Sequence, residues 1–240
     1  MSDRRNKWVR RGARLGLFAL VPLLSVVFLA LAVRLGNAAQ PAAALPSAGK
    51  TAFEFVGRID QDGANMVSYG YLTYADGLDG SVLFSGADHS ESTARITFYT
   101  TGGLTARSVI SGVFVLNAIG NTTFYFNSYP GANFSNPASF RSGQPIATYT
   151  GRYQNVLNVQ GPNLGISTNL ADMTQQTGSA FEWGGQTYTF GQAGMTLRSF
   201  FTGEGTRTDP VLPKSFVVGA GTAAPTGYFA RLPLVRSSAP

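Results

Sequence analysis

From residue 51 onward the chain alternates apolar and polar residues in short runs, and Gly, Asn, Asp and Pro separate those runs. Side chains on a strand point to opposite faces with a period of two, so the pattern reads as half-buried strands joined by tight turns. Over residues 52–60, Phe53, Phe55 and Ile59 fall on one face and Glu54, Arg58 and Asp60 on the other. Gln61, Asp62, Gly63 and Ala64 then turn the chain. The next run, 65–74, sets Val67, Tyr69, Tyr71 and Thr73 against Met66, Ser68, Gly70 and Leu72, so both of its faces are expected to be partly covered.

Asp76-Gly77 and Asp79-Gly80 offer the positive-φ positions of a tight connection, and residues 80–85 are expected to return as a strand. Further strands are expected over 94–100, 108–117, 122–128, 145–153, 186–190, 195–202, 215–218 and 228–232, about eleven in all. One short helix is expected over 170–177, with Asn169 as N-cap and Gly178 just past its end. An aromatic-x-Gly-Arg-apolar pattern occurs twice, at 55–59 and 149–153, and reads as coincidence in a Gly-rich β protein. These elements predict an all-β fold: an antiparallel β-barrel, or a two-sheet β-sandwich as the alternative, preceded by one N-terminal hydrophobic helix.

That helix is expected at residues 15–33, LGLFALVPLLSVVFLALAV, which contain no charge and would reach about 28 Å at helical rise. Its length fits a membrane anchor. Small residues at Gly36 and Ala38, or Ala42 and Ala44, fit a cleaved signal peptide, and Pro22 disfavours an unbroken helix. Both readings put the cationic start in the cytoplasm and the rest outside it, since basic residues before the apolar run far outnumber Arg34 after it. The expected organisation is an N-terminal signal peptide or membrane anchor (1–39), a flexible linker (40–50) and an exported all-β domain (51–240).

The net charge of +6 changes its meaning once it is located. Residues 1–39 hold Arg4, Arg5, Lys7, Arg10, Arg11, Arg14 and Arg34 against Asp3, so the remainder is formally neutral. A neutral body lacks the electrostatic footprint that phosphate backbones require, and nucleic acid is excluded as an expected partner. The 240 residues include no Cys, which excludes disulfide staples and thiolate metal sites.

Few residues offer catalytic chemistry. His89 is the sole histidine and sits among Asp88, Ser90 and Glu91, which reads as a solvated loop; no G-x-S-x-G turn accompanies it. Asp60, Asp62 and Asn65 resemble the start of a Ca²⁺ loop, yet Gly63 is the fourth position and Tyr71 the twelfth, so a plain hairpin turn is expected there. Glycine pairs such as Gly184-Gly185 precede neither a helix pattern nor Lys-Ser/Thr. No metal and no cofactor is expected.

The segment 121–153 interleaves Phe124, Tyr125, Phe126, Tyr129, Phe134, Phe140, Tyr149 and Tyr153 with Asn, Ser, Thr and Gln. Flat rings beside amides and hydroxyls suit a neutral small molecule or glycan, because stacking covers apolar faces while the polar groups satisfy hydroxyls. By strand parity Phe124 and Phe126 are expected in the core. Tyr125, Tyr129 and Tyr153 are the expected ligand-binding residues, since each phenol can stay wet or bond a ligand. The leading expectation is therefore an exported, membrane-anchored or released, β-barrel module that binds a neutral ligand without catalysis. A cyclase or isomerase that works by cavity shape is the alternative, and a cell-envelope structural or assembly subunit a third.

Overall fold

The computed structural model describes residues 49–208 and 211–224. The expected N-terminal helix and the expected strand at 228–232 lie outside the described residues. Eight strands close into an antiparallel barrel: β1 (Thr51–Asp62), β2 (Asn65–Ala75), β3 (Ile96–Ile110), β4 (Val113–Phe126), β5 (Gln144–Gly161), β6 (Leu164–Gly178), β9 (Thr196–Thr208) and β10 (Val211–Ala224). Consecutive barrel strands are neighbours, and β1 pairs with β10 to complete the ring. Between β6 and β9 the chain inserts a separate hairpin, β7 (Ala180–Trp183) with β8 (Gln186–Thr189).

Alternation in the sequence decides which residues face inward. On β6, Gly165, Ser167, Asn169, Ala171, Met173 and Gln175 are buried, while Ile166, Thr168, Asp172 and Gln176 are exposed. The same period continues on β9, where Leu197 and Ser199 turn in and Arg198 and Phe200 turn out. Residues 170–177 are thus strand and not the expected helix. The inward positions of β6 include Asn169 and Gln175, whose polar side chains hide the two-residue period from a reading of hydrophobicity.

Two further expectations are corrected. Residues 80–85 do not form a strand: Asp79 accepts hydrogen bonds from the backbone N–H groups of Ser81 (2.8 Å) and Val82 (3.3 Å) and so caps a single helical turn, α1 (Gly80–Leu83). Residues 108–117 span a hairpin in place of one strand. Ser111 (φ 45°) and Gly112 (φ 85°) make a two-residue turn between β3 and β4, with the pair of positive φ values that matches strand twist.

The interior is packed with rings. Phe53, Phe55, Phe98 and Phe124 meet at centroid distances of 5.4 to 6.1 Å, mostly edge to face. Curvature at this crowded level comes from glycine. A Cβ on Gly70 would lie 2.1 Å from the Val56 carbonyl oxygen, and one on Gly120 would lie 2.3 Å from that of Thr101. Gly57 of β1 pairs with Gly70, and Gly151 of β5 pairs with Gly120. The two copies of the aromatic-x-Gly-Arg-apolar pattern therefore mark equivalent close approaches on strands across the barrel from each other.

Both faces of β2 are covered, as its sequence predicts. Met66, Ser68, Gly70 and Leu72 face the interior. Outside, the loop after β4 folds back through a 3₁₀ turn (Pro137–Arg141) and lays Phe134 and Phe140 over Tyr69, with centroids 6.1 and 5.2 Å away. Thr97 pins that loop by donating to the Phe140 carbonyl at 2.7 Å.

The two barrel ends differ. At one, the strand pairs β1–β2, β3–β4 and β5–β6 meet at turns. At the other, the β7–β8 hairpin packs across the barrel: Phe181 stacks on Phe126 at 4.4 Å, and Phe190 contacts Phe124 at 4.8 Å. Buried Arg95 reinforces this end, its guanidinium 3.8 Å from the Trp183 ring centroid.

Candidate functional site: a chamber inside the barrel

The barrel is not filled from end to end. Above the phenylalanine layer an inner chamber of about 80 Å³ is bounded by Phe55, Phe98, Met173 and Phe201, with Tyr153, Asn155, Asn169 and Ser199 at its sides. It adjoins a mouth of about 340 Å³ at the turn end of the barrel, and Ile59, Gln61, Leu116 and Asn155 line both spaces. Apolar walls bearing a few convergent polar groups are the usual make-up of a small-molecule site.

Those polar groups form two strings. In the first, Thr100 Oγ1 and Thr122 Oγ1 are 2.8 Å apart, and Thr122 Oγ1 is 2.8 Å from the Tyr153 hydroxyl. These three residues stand on β3, β4 and β5, brought level by the ladder that pairs Thr100 with Thr122. Burial pushes the Tyr153 phenol up to about 12, partly offset by its bond to Thr122, so the group is neutral at physiological pH. When Thr122 donates to the phenol oxygen, the phenol proton is left for an acceptor in the chamber.

In the second string Asn155 Nδ2 donates to Asn169 Oδ1 at 2.6 Å, and Asn169 Nδ2 donates to Ser167 Oγ and to the Phe201 carbonyl, both at 3.3 Å. Ser167 continues the string to Ser215 Oγ at 3.1 Å. Two atoms are left over: Asn155 Oδ1 and Ser199 Oγ are buried and have no partner among the described residues. Ser199 is 2% exposed. A buried hydroxyl or amide oxygen without a partner costs about 1–3 kcal/mol, which a ligand group at the right place recovers.

The inner chamber has no charged side chain among its lining residues, whereas Arg107 and Lys214 stand at the mouth. Chemistry near neutral pH by a carboxylate or imidazole has no residue to perform it in the inner chamber. His89 is elsewhere, stacked on Phe84 at 4.2 Å on the outside of the barrel. Asp60 is taken up by Arg58 and by the Tyr69 hydroxyl, each at 2.7 Å.

The structure does not bring Tyr125, Tyr129 and Tyr153 together. Tyr153 lines the chamber. Tyr125 lies on the outer face of β4, between the inward Phe124 and Phe126, and Tyr129 stands in the loop beyond, 89% exposed. The other polar members, Asn155, Asn169 and Ser199, carry no local signature in the sequence. Their common signal is parity, for each occupies an inward position on its strand while being polar. Comparisons with protein-family models, with curated proteins and with solved structures found no match for this chain.

Proposed function

We propose that the barrel is an exported binding module that takes a neutral, largely apolar small molecule into its interior. The observation that carries this reading is the pair of unpartnered atoms, Asn155 Oδ1 and Ser199 Oγ, in a chamber whose walls are mainly aromatic and aliphatic carbon. A ligand with an apolar body and one or two hydroxyl or carbonyl groups matches it. The body would occupy the mouth and the polar groups would reach Asn155, Ser199 and the Tyr153 phenol. A glycan suits the chamber less well, because a sugar presents hydroxyls on every side and the walls here are mostly hydrocarbon. The cyclase or isomerase alternative draws on the same phenol, which can donate a hydrogen bond to a carbonyl oxygen as charge develops there.

The test uses 1-N-phenylnaphthylamine, a neutral apolar fluorophore, with the whole protein and an Ala171→Phe variant that puts a ring into the chamber. The expected result is saturable fluorescence at an equimolar ratio in the wild type and its loss in Ala171→Phe with the strand circular-dichroism spectrum retained. Equal fluorescence in both proteins overturns the assignment of the chamber. Native mass spectrometry of protein purified from its own host then identifies the ligand carried.

A further inference from the structure

The turn end of the barrel is unusually greasy for a rim. Val109 and Ile110, at the tip of β3–β4, are 55% and 67% exposed; Val159 and Leu164, at the tip of β5–β6, are each 41% exposed. These hairpins are neighbours in the barrel, and the Val159 N–H donates across to the Gly112 carbonyl at 3.1 Å. The four apolar side chains thus belong to one pinned edge beside the mouth.

We infer that this edge docks on the surface of an anionic lipid bilayer, with Val109, Ile110, Val159 and Leu164 entering the headgroup–acyl boundary and the mouth facing the lipid. Charge selects this occupant. From residue 92 to residue 171 the sequence contains no Asp or Glu, so neither hairpin tip carries a carboxylate, while Arg107 and Lys214 flank the mouth. Cations beside an apolar wedge suit acidic headgroups. A second copy of the chain docked edge to edge would instead bring the same cations against themselves, with no carboxylate at either hairpin tip to meet them.

The outer wall argues for lying on the membrane and against spanning it. Arg198 holds Asp172 through two hydrogen bonds, at 2.6 and 3.0 Å, on the exposed face of β6 and β9, where lipid would penalise both charges. Docking brings the mouth to the phase in which apolar molecules dissolve. It stands on the rim alone, whatever the chamber binds.

The absence of Cys permits a test on the full chain reconstituted in vesicles. A single Ile110→Cys substitution is labelled with the polarity-sensitive fluorophore NBD. Ile119→Cys, on the outer wall of β4 and likewise exposed, is the control. In phosphatidylcholine vesicles containing phosphatidylglycerol, the label at 110 is expected to shift to the blue, brighten several-fold and be quenched by spin-labelled lipid, while the label at 119 stays aqueous. Adding Arg107→Gln with Lys214→Gln, or omitting phosphatidylglycerol, should return the 110 signal towards its aqueous value. Identical signals at 110 and 119 overturn the proposal. So does a blue shift at 110 that rises with protein concentration without lipid, which would assign the edge to self-association. Neither readout involves a chamber ligand, so this proposal and the proposed function fail separately.

Discussion

The Tyr153 hydroxyl and Thr122 Oγ1 lie 2.8 Å apart inside the barrel, and Thr122 is equally close to Thr100. Removing the phenol oxygen leaves the Thr100–Thr122 pair intact. Tyr153→Phe is therefore expected to cost about 1 kcal/mol of stability, the usual net worth of one hydrogen bond. If the chamber binds through this phenol, the same change weakens uptake of a ligand bearing a carbonyl while leaving a purely hydrocarbon probe unaffected. Chemical denaturation and probe titration on one sample check both.

Phe126 and Tyr129 are three positions apart and have opposite environments. Phe126 is buried between Phe181 and Trp183, whereas Tyr129 is almost wholly exposed. Phe126→Ala is expected to cost about 3–5 kcal/mol. Tyr129→Ala should stay within about 0.5 kcal/mol, as surface changes do. Thermal melting of the two variants side by side decides the matter; equal losses would contradict the packing described at the β7–β8 end.

Gly70→Ala is expected to destabilise by about 1–3 kcal/mol or more, because its new methyl group collides with the Val56 carbonyl and the Gly57 Cα, both backbone. Gly86→Ala is the control, since nothing lies within 4 Å of a Cβ there. A tolerated Gly70→Ala would mean that β1 and β2 can separate at this level.

The alkaline limit of stability follows from the tyrosines. Burial raises the Tyr153 phenol to about 12 and raises that of Tyr149 as well, while an unfolded tyrosine titrates near 10. Their neutral forms are favoured in the folded protein, so their contribution is complete below pH 10 and is lost as the pH climbs through the raised values. Absorbance at the phenolate band should show these two groups titrating late or together with unfolding. Their ionisation near pH 10 in folded protein would contradict their burial.

Much of the barrel was legible in residues 52–74, where hydrophobic alternation and the Asp62-Gly63 turn match the observed hairpin. The misreading of 170–177 has a local cause: in a largely apolar interior, polar Asn169 and Gln175 occupy inward positions of β6 where Val or Leu would be expected, and the strand signature is lost. Glycines such as Gly120 and Gly151 occur in mid-strand for curvature, yet in sequence they look like punctuation and shorten the strands around them. For the candidate site, Tyr153 was visible because a phenol among rings and amides can bond a ligand, but the same reasoning also picked Tyr125 and Tyr129, which lie away from the chamber. Asn155 and Ser199 were not visible, because they approach the same chamber from β5 and β9, and no local pattern encodes a meeting across the barrel.

The pairing of β1 with β10 has a consequence for how the chain becomes a barrel. Phe53 finds Gly221 as its partner, and Glu54 finds Ala220, so the seam joins the first barrel strand to the last. A chain that folds as it is synthesised can pair β1 with β2 early, but the other side of β1 stays an open edge until β10 arrives. Loop-closure entropy makes such distant pairing slow, and the open edge is where foreign strands add. The last barrel strand thus acts as a fastening: a chain cut before residue 211 keeps most of its inward-facing rings yet exposes two edges, on β1 and β9, and its fate is association with other chains.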